Sequence, residues 1–502
     1  MAISRNCRHE VISQTTKSKI RKMKNRICIQ LLTGLTSLCL LPLGSRGQTS
    51  LTLNEVIRLA QDSAITAFQS RQEYQSRQAS YEAFEALRKP QLTLKVVPNY
   101  SRIVSDPTRD YVYLRNYDIF SNSAQVRLTQ KVLPFGGEAY VGTQAIWSEF
   151  FRESASGYPR QFVASPLLIG YSHTLLGYNP FRWEKRVEDQ RLQAARRQHE
   201  YNLRRIAEEA AVRYFHLARQ QRVLQMRIDE LMMSDTLLSI AREKASIAIV
   251  SLAELHSIEV QQQNAANHLA VARQEELKAR TALASFLRIK PTPEILPLLD
   301  IPETLPPTDY TASEVAARAM NNSPAYQQQL AELTEARHQE DKTQKERGVN
   351  IGVDVNLGLQ QVNNTFGSAY KNQQVYALGA VQVTIPLVDH GAAKKRHAAA
   401  TAWVERQESA LQEVERQLAE DATVTLQKLQ ASRALLTTTQ RTVTLAEEVF
   451  NETADNYANG LCDINTFTLA QSRWVTAYSN YLTAMEEFWT NHYHLQTLVN
   501  YE

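Results

Sequence analysis

The sequence predicts an α+β membrane protein in which strands of the membrane-barrel type are joined to very long helices. Three observations predict this class. The order of elements occurs twice along the 502 residues, each copy contains one helix of unusual length, and the strands alternate apolar and polar side chains. A plain helical bundle would explain the helices alone, but the strands exclude it.

The internal repeat is visible in two pairs of segments. LNEVIRLA at 53–60 matches ASEVAARA at 312–319 at an offset of 259, and ASIAIVSLAEL at 245–255 matches YANGLCDINTF at 457–467 at an offset of 212. The offsets differ because the first copy carries about 48 extra residues between its first strand and its long helix. These residues include a predicted hairpin at 121–150, and the sequence leaves open whether this hairpin joins a barrel.

The predicted organisation is a leader, a first copy, a connector and a second copy. The connector contains six prolines between 290 and 308, which disfavour both helix and central strand. The predicted segments are the leader 1–47; the first copy 48–289, with helix 53–88, strands 91–103, 121–150 and 162–176, long helix 182–247 and return helix 251–288; the connector 290–310; and the second copy 311–502, with helix 311–346, strands 349–362 and 374–387, long helix 391–458 and return helix 463–500.

The leader has the layout of a cleaved secretory signal. A basic start at Met23 precedes an apolar run over 27–43 and a small-x-small site at 45–47. The preceding 22 residues form a long basic extension, so the sequence also allows translation to start at Met23. Three of the four cysteines lie in the leader, so the mature chain keeps only Cys462 and no internal disulfide is expected.

The charge of the mature chain argues against nucleic acid as a partner. Residues 1–47 hold nine Lys or Arg and one Glu, so the remainder has 47 basic and 51 acidic side chains. A nucleic-acid-binding surface would need the opposite balance. The positive formal charge of the whole chain therefore reflects the leader.

The strands alternate as membrane-barrel strands do. In NIGVDVNLGLQ, Ile351, Val353 and Val355 share one face, and Gly352 and Asp354 lie on the other. A soluble sandwich alternates in the same way, but a secretory signal and the absence of a mature 18-residue apolar run favour the membrane. Because neither four nor six strands readily close around a lumen, we expect the barrel to pool strands from several chains.

The long helices carry a heptad pattern. Leu429, Leu436, Val443 and Phe450 recur at seven-residue spacing with small side chains between them, which predicts left-handed supercoiling with neighbouring helices. At ~1.5 Å per residue, a helix of this length reaches ~100 Å. We therefore expect long helices packed beside pairs of shorter helices placed end to end.

Each long helix is predicted to end in a tight turn that forms the tip of a helical hairpin. Gly460 suits the left-handed residue that ends a helix, and Asp463 suits the N-cap of the returning helix. At the equivalent place the first copy has Ala248, followed by Ser251 and Glu254 as a predicted capping box. These residues either serve as turn residues alone or also form a docking and gating surface.

Basic residues follow the predicted strand exits in both copies. Positive charge at a helix start opposes the helix dipole, which favours an interfacial role toward lipid head groups or neighbouring acids. An ordinary solvated face is the alternative. The residues are Arg182, Lys185, Arg186, Lys394, Lys395 and Arg396.

Residues for enzymatic or cofactor chemistry are not evident in the sequence. His492 and His494 are two apart and point to roughly opposite sides of a helix, which makes a poor metal pair. The chain has no phosphate-cradling glycine loop and no nucleophile-base pair, and Cys462 is expected to be incidental. We therefore predict a protein that is not an enzyme, with no catalytic residue, metal or cofactor.

Taken in order over the whole mature chain, LTLNEVIRLA, IPLVDHGAAKKR and NYANGLCDINTF resemble the TolC-like outer-membrane factor family. This resemblance implies a homotrimer in the outer membrane of a Gram-negative cell, with a β-barrel continuous with a periplasmic α-helical barrel. It also implies partners: a membrane-fusion adaptor, an inner-membrane RND or ABC transporter, and outer-membrane lipid.

The implied function is passive conduction through a tripartite export system, either efflux of drugs and small toxic compounds or type I secretion of polypeptide. The alternative is a secreted coiled-coil scaffold or adhesin without a pore. The chain departs from the family pattern in two ways: the 48 extra residues depart from a twelve-strand trimer, and Thr466 to Ala470 lack the acidic residues that often narrow the closed pore.

Overall fold

The computed structural model describes the chain from residue 51 onward, apart from short gaps. The predicted leader and the tip residues Ala248 and Gly460 lie outside the described residues. The described residues are 51–103, 117–133, 136–151, 159–176, 178–247, 250–291, 296, 298–302, 304–459 and 461–500.

The opening helix predicted for each copy is divided into two helices. The first copy has α1 (Leu53–Ser63) and α2 (Ile65–Ala86). Ala64 between them is extended, so the prediction of one helix over 53–88 was wrong at this residue. Both α1 and its counterpart in the second copy begin with a capping box.

The first copy continues with β1 (Gln91–Ile103), β2 (Tyr117–Val132), β3 (Gly137–Phe150) and β4 (Arg160–Leu176). The long helix α3 (Pro180–Ser246) follows, and α4 (Leu252–Leu287) returns. Asn179 caps α3 through a bond from Phe181 N to Asn179 Oδ1, 3.1 Å, and Pro180 occupies the first turn where its missing N–H costs nothing.

The second copy begins with α5 (Ala312–Asn322) and α6 (Pro324–Glu346), again in place of one predicted helix over 311–346. Here the reason is local, because Ser323 precedes Pro324 and the residue before a proline is driven out of the helical region. The break at Ser323 lies 259 residues after Ala64, which is the offset seen in the sequence.

The rest of the second copy is β5 (Asn350–Asn363), a short helix α7 (Phe366–Ala369), β6 (Gln374–Thr384), the long helix α8 (Ala392–Ala458) and the return helix α9 (Ile464–Val499). The predicted strand 374–387 ends early, since Pro386 cannot donate to a strand ladder. The two long helices have 67 residues each and the two return helices 36 each, all related by the offset of 212. These equal bounds support the predicted repeat.

The six strands form one antiparallel sheet in the order β1-β2-β3-β4-β5-β6. The hairpin β2–β3 therefore lies between β1 and β4 in the sheet, which the sequence had left open. β1 and β6 are the two edges of this sheet.

The helices form a single layer, and its two free sides continue the two edges of the sheet. Near the sheet, neighbouring helices run in the order α2, α3, α6, α8, and toward the hairpin tips in the order α4, α3, α9, α8. α2 leads into β1, and α8 follows β6, so one side of the protein carries β1, α2 and α4 and the other carries β6 and α8. Within the described residues, no helix combines the length and hydropathy needed to cross a membrane.

The largest core lies where the paired short helices meet beside the long ones. Tyr214 and Phe215 of α3 pack there against Phe488 and Trp489 of α9, and the Phe215 and Trp489 rings stack with centroids 5.0 Å apart. The connector packs onto this core, since Gln221 Oε1 accepts a bond from Leu299 N at 2.9 Å. A second cluster, which includes Phe450 and Phe467, lies near the tips.

Candidate functional site

One face of the sheet presents a continuous apolar row at a single height. Strand pairing places one side chain from each strand side by side, so the row crosses all six strands. The five large members are exposed to between 39% and 71%. An exposed apolar row of this extent indicates a surface that faces lipid or another protein. The row consists of Leu92, Leu128, Val141, Ile169, Leu357 and Ala377.

Aromatic side chains follow the row on the same face, toward the opposite end of the strands. Tyr100 pairs with Phe120, and Trp147 pairs with both Asn122 and Phe162. The Phe120 and Trp147 rings meet edge to face with centroids 6.5 Å apart. A belt of aromatic rings beside an apolar band is typical of strands at a membrane boundary.

The opposite face of the sheet is polar, as the alternation of the strands predicts. It carries basic, acidic and amide side chains from five of the strands, which in a closed barrel would line a wet interior. These side chains include Lys95, Gln125, Arg127, Glu138, Gln144, Ser172, Asp354 and Asn356.

A bracket of three side chains, Arg127, Tyr140 and Asn356, ties the polar face together across four strands. The Arg127 guanidinium lies over the Tyr140 ring at 4.0 Å, and the Tyr140 hydroxyl donates to Asn356 Oδ1. Gly170 lies beneath the ring, where a Cβ atom would come within 2.2 Å of Tyr140 Cζ. The bracket therefore connects β2, β3 and β5 and requires a glycine on β4.

The predicted basic cluster at the start of α3 is largely exposed. Arg182, Lys185 and Arg186 have no acidic partner among the described ion pairs, and Arg186 lies over the Trp183 ring at 5.1 Å. Trp183 in turn donates from Nε1 to Asp341 Oδ2 of α6 at 2.8 Å. The guanidinium is thus held at the surface by an anchored aromatic ring.

The second basic cluster, Lys394, Lys395 and Arg396, is also exposed at the start of α8. Asp389 caps this helix, because its carboxylate accepts bonds from Gly391 N at 2.9 Å and Ala393 N at 2.8 Å. These backbone bonds hold the pKa of Asp389 below its ordinary value. The sequence analysis missed this cap, although an Asp at the end of a strand and before a helix is a recognisable signal.

At the far end, the two hairpin tips are capped as the sequence predicted. Asp463 accepts bonds from Thr466 N at 2.9 Å and Thr466 Oγ1 at 2.5 Å, and these bonds lower the pKa of the carboxyl group. Ser251 Oγ accepts from Glu254 N at 3.1 Å. The returning bond, from Ser251 N to the Glu254 carboxylate, is absent from the described contacts, so the predicted capping box is only half formed.

The end of α8 has the bonding of a Schellman turn on either side of position 460. Leu461 N donates to Asn456 O at 2.8 Å, the six-to-one bond of that motif. The two return helices bond to each other behind the tips, through Gln261 Nε2 of α4 and Gln471 Oε1 of α9, 2.9 Å apart. Thr468 Oγ1 donates to the same Gln261 side chain. These bonds link the two hairpins, and their ends together are called the tip surface.

Apolar side chains are exposed on this tip surface. Ile247, Leu252 and Leu461 are each exposed by about two thirds or more of their area. Behind them, the Phe450 ring contacts Phe467 and stacks on Trp474 at 5.6 Å. Rigid aromatic packing thus supports an apolar, accessible end.

Ionisable groups link the helices near the main core. Glu486 of α9 lies 2.8 Å from both Arg219 Nε and His216 Nδ1 of α3. His494 bonds Glu208 of α3 at 2.8 Å, which raises the pKa of His494. These contacts bridge the two copies, and the sequence analysis did not find them, since the partners are more than 250 residues apart.

The histidines singled out in the sequence occupy different environments. His492 is buried against the rings of Phe488 and Trp489, and burial lowers the pKa of His492 to about 4. Over the described part of the chain, no group of three or more His, Cys, Asp or Glu side chains could hold a metal ion. Cys462 lies beside a turn, with Sγ 3.6 Å from Thr453 O.

Comparison with known proteins gives one family match. Residues 315–500, most of the second copy, match the family described as outer membrane efflux protein. No curated protein matches the sequence.

Solved structures resemble almost the whole chain. The outer membrane protein VceC of Vibrio cholerae has 13% identity and a TM-score of 0.63, with 89% of this chain and 95% of that chain covered. The CmeC outer membrane channel of Campylobacter jejuni has 12% identity, a TM-score of 0.62 and coverage of 89% and 85%. The MtrE outer membrane channel of Neisseria gonorrhoeae has 15% identity and a TM-score of 0.59, with 89% of this chain and 88% of that chain covered. At these identities the likeness shows a shared fold.

Proposed function

We propose, from the match of residues 315–500 to the outer membrane efflux protein family and from the resemblance seen in the sequence, that the whole chain is the channel of a tripartite export system. Its location is the outer membrane, as the sequence predicted. In this proposal, copies of the chain form a continuous barrel of strands and helices, through which an inner-membrane transporter exports small toxic compounds or secreted polypeptide.

The observation that carries the proposal is that the protein is an open layer from end to end. The sheet has the unpaired edges β1 and β6, and the helical layer has the edges α2 or α4 and α8 on the same two sides. Unpaired strand edges are not tolerated in lipid, so the sheet must close by pairing β6 of one protomer with β1 of the next protomer. A head-to-tail ring of this kind closes both layers at once. The proposed ring has three chains, the number that the resemblance to the TolC-like family implies.

Exposed apolar side chains on the two sides support this association. On one side they include Val260, Val271 and Leu277 of α4, and on the other Leu435 and Leu445 of α8. A monomer with both edges exposed to water would aggregate, whereas a closed ring buries them. The apolar row would then face lipid and the polar face would line the channel.

The tip surface is the proposed docking site for a periplasmic adaptor. It includes Ser251, Glu254 and Asp463 together with the exposed Leu252 and Leu461, and the sequence adds Ala248 and Gly460. Six such tips would surround the periplasmic mouth of a trimer. An exposed apolar end supported by rigid packing suits reversible docking of another helical protein.

The two basic clusters are proposed to lie at the periplasmic boundary of the membrane. They follow β4 and β6 and form none of the described ion pairs, although positive charge at a helix start is electrostatically unfavourable and only Asp389 lies near the second cluster. Phosphate groups of lipids would compensate this charge. A solvated face without lipid contact is the alternative.

Single-channel recording tests the proposed function. The purified mature protein, added to a planar bilayer, should insert and give discrete conductance steps, because a water-filled barrel conducts ions. A protein that stays monomeric and gives no conductance would instead support a secreted coiled-coil scaffold or adhesin. Deleting the gene and measuring both drug sensitivity and loss of secreted protein would then separate efflux from secretion.

A further inference from the structure

The β2–β3 hairpin is the largest difference between the two copies. In the second copy β5 and β6 are joined by a short segment that contains α7, whereas in the first copy the equivalent strands β1 and β4 are separated by two additional strands. These strands have 16 and 14 residues, which exceeds the ~9–11 that span a membrane. The hairpin is therefore long enough to form part of a membrane wall.

The hairpin continues the two faces of the sheet in phase. Leu128 and Val141 occupy the apolar row between Leu92 of β1 and Ile169 of β4. Lys95, Gln125 and Gln144 are neighbours on the polar face. A hairpin that folded away from the wall, into the lumen or over its mouth, would have no reason to repeat the lipid-facing pattern at the same height.

The hairpin is also tied to the second copy on the polar face. Tyr140 of β3 reaches across Gly170 of β4 and donates to Asn356 of β5. Such a bond holds only when β3, β4 and β5 lie side by side in one wall.

We propose that the hairpin is built into the barrel wall, so that three protomers with six strands each form a barrel of eighteen strands instead of twelve. This inference rests on the proposed trimeric channel. With strands ~4.8 Å apart and tilted by ~40°, closure gives a backbone diameter of ~36 Å for eighteen strands and ~24 Å for twelve. A ring of twelve helices spaced ~8–10 Å apart has a diameter of ~31–39 Å, which the wider barrel matches.

The wider barrel assigns size selection to the helical end of the channel. An eighteen-strand wall encloses an open aqueous lumen, as in general porins, so the outer-membrane part passes any cargo that the periplasmic end admits. The hairpin therefore acts as the element that lets bulky solutes or polypeptides leave.

Cysteine labelling tests the position of the hairpin. In a Cys462→Ser background, Val141→Cys and Gln144→Cys report on the apolar and polar faces of β3, and Leu357→Cys and Asp354→Cys are the matched positions on β5. The trimer is reconstituted into phosphatidylcholine vesicles and treated with a membrane-impermeant maleimide. Gln144→Cys should be labelled as fast as Asp354→Cys, because both cysteines face the aqueous lumen. Val141→Cys and Leu357→Cys should not be labelled, because both face lipid.

Equal labelling of Val141→Cys and Gln144→Cys would overturn the inference and leave the channel standing, provided that the β5 pair still shows the contrast. Loss of the contrast on β5 as well would overturn the proposed function itself. Electron cryo-microscopy of the detergent-solubilised trimer gives a second measurement, in which eighteen strands support the inference and twelve contradict it.

Discussion

Single side chains fix the starts of the two return helices at the hairpin tips, because a helix cap is formed by residues that are close in sequence. Asp463 caps α9 and Ser251 caps α4, as their positions after the turns indicated. Thr52 and Thr311 cap α1 and α5 in full capping boxes that the sequence analysis overlooked, although Thr-x-x-Glu is the signature of that motif. The remaining chemistry at residue scale depends on distant partners.

The cap at Asp463 leads to a prediction about docking. Asp463→Arg removes the acceptor for Thr466 N and adds a positive charge at the positive end of α9, so it should disturb the tip without affecting the distant sheet. Gly460→Pro should act in the same way, because proline cannot take the left-handed conformation that the sequence predicts at this position. We expect loss of export by the tripartite system with normal barrel insertion, measured as drug tolerance and as protein in the outer-membrane fraction.

Asp455→Arg is the matched control for the charge, since Asp455 is exposed near the end of α8 and its side chain caps nothing in the described contacts. It should export normally. Normal export in both Asp463→Arg and Gly460→Pro would contradict a docking or gating role for the tip.

Buried His492 predicts a pH dependence of stability. Its pKa is about 4 in the folded protein and near 6.5 in the unfolded chain, so between these values only the unfolded chain binds the proton. Stability should therefore fall as pH falls from 6.5 to 4, by about 3 kcal/mol from this group. His492→Phe should remove most of this slope, measured as thermal unfolding in detergent at pH 4.5 and pH 7.5.

His494 provides a control of opposite sign. Its bond to Glu208 raises the pKa of His494, so its contribution is fully present below the ordinary value and is lost as pH rises through the raised pKa. His494→Gln should therefore steepen the loss of stability toward low pH. The same slope in wild type and His492→Phe would show that other groups dominate.

Elements were predictable in type and order because periodicity is a local property. The two long helices end within a few residues of the predicted ends, and the strands alternate as predicted. The break at Ser323 has a local signal in Pro324, whereas the break at Ala64 has none. Next to Ala64, Ser63 Oγ donates to Leu287 O at 3.0 Å, a tertiary contact that sequence patterns do not reveal.

Within the sheet, the bracket of Arg127, Tyr140 and Asn356 predicts a strict need for glycine at position 170. Gly170→Ala would place a Cβ against the Tyr140 ring and should lower barrel stability by ~1–3 kcal/mol, the usual cost of overpacking. The temperature at which the folded trimer dissociates on a gel measures this loss. Adding Tyr140→Ala should remove the clash, so the double variant loses less than the sum of the two single variants.

Gly352→Ala is the matched control, because it lies on the inner strand β5 of the same sheet and the nearest atom to a Cβ there is Gln382 Cβ at 4.0 Å. Its dissociation temperature should stay near that of wild type. Equal losses for Gly170→Ala and Gly352→Ala would mean that the bracket does not explain the sensitivity.

At the scale of the whole molecule, the two open sides predict that assembly depends on edge residues. Val271 and Leu277 are exposed on α4, which forms one side of the helical layer. The double variant Val271→Lys, Leu277→Lys would place two charges in the buried contact with α8 of the neighbouring protomer. We therefore expect loss of the trimer. Light scattering of the detergent-solubilised protein measures this.

Met232→Lys tests whether the effect is specific to the edge. Met232 is equally exposed, but it lies on α3, which has neighbouring helices on both sides within the same protomer. This variant should remain a trimer. Trimers in the edge variant would mean that copies associate through another surface.

The sequence by itself determined the elements, their order, the hairpin tips and the two-faced strands, because each of these depends on residues close together in the chain. Tertiary structure alone decided that β2 and β3 lie between β1 and β4, that Tyr140 reaches Asn356, and that all free edges fall on the same two sides. Strand pairing joins residues up to 201 positions apart, as in Phe162 with Asn363, and no local pattern encodes which partner an edge selects.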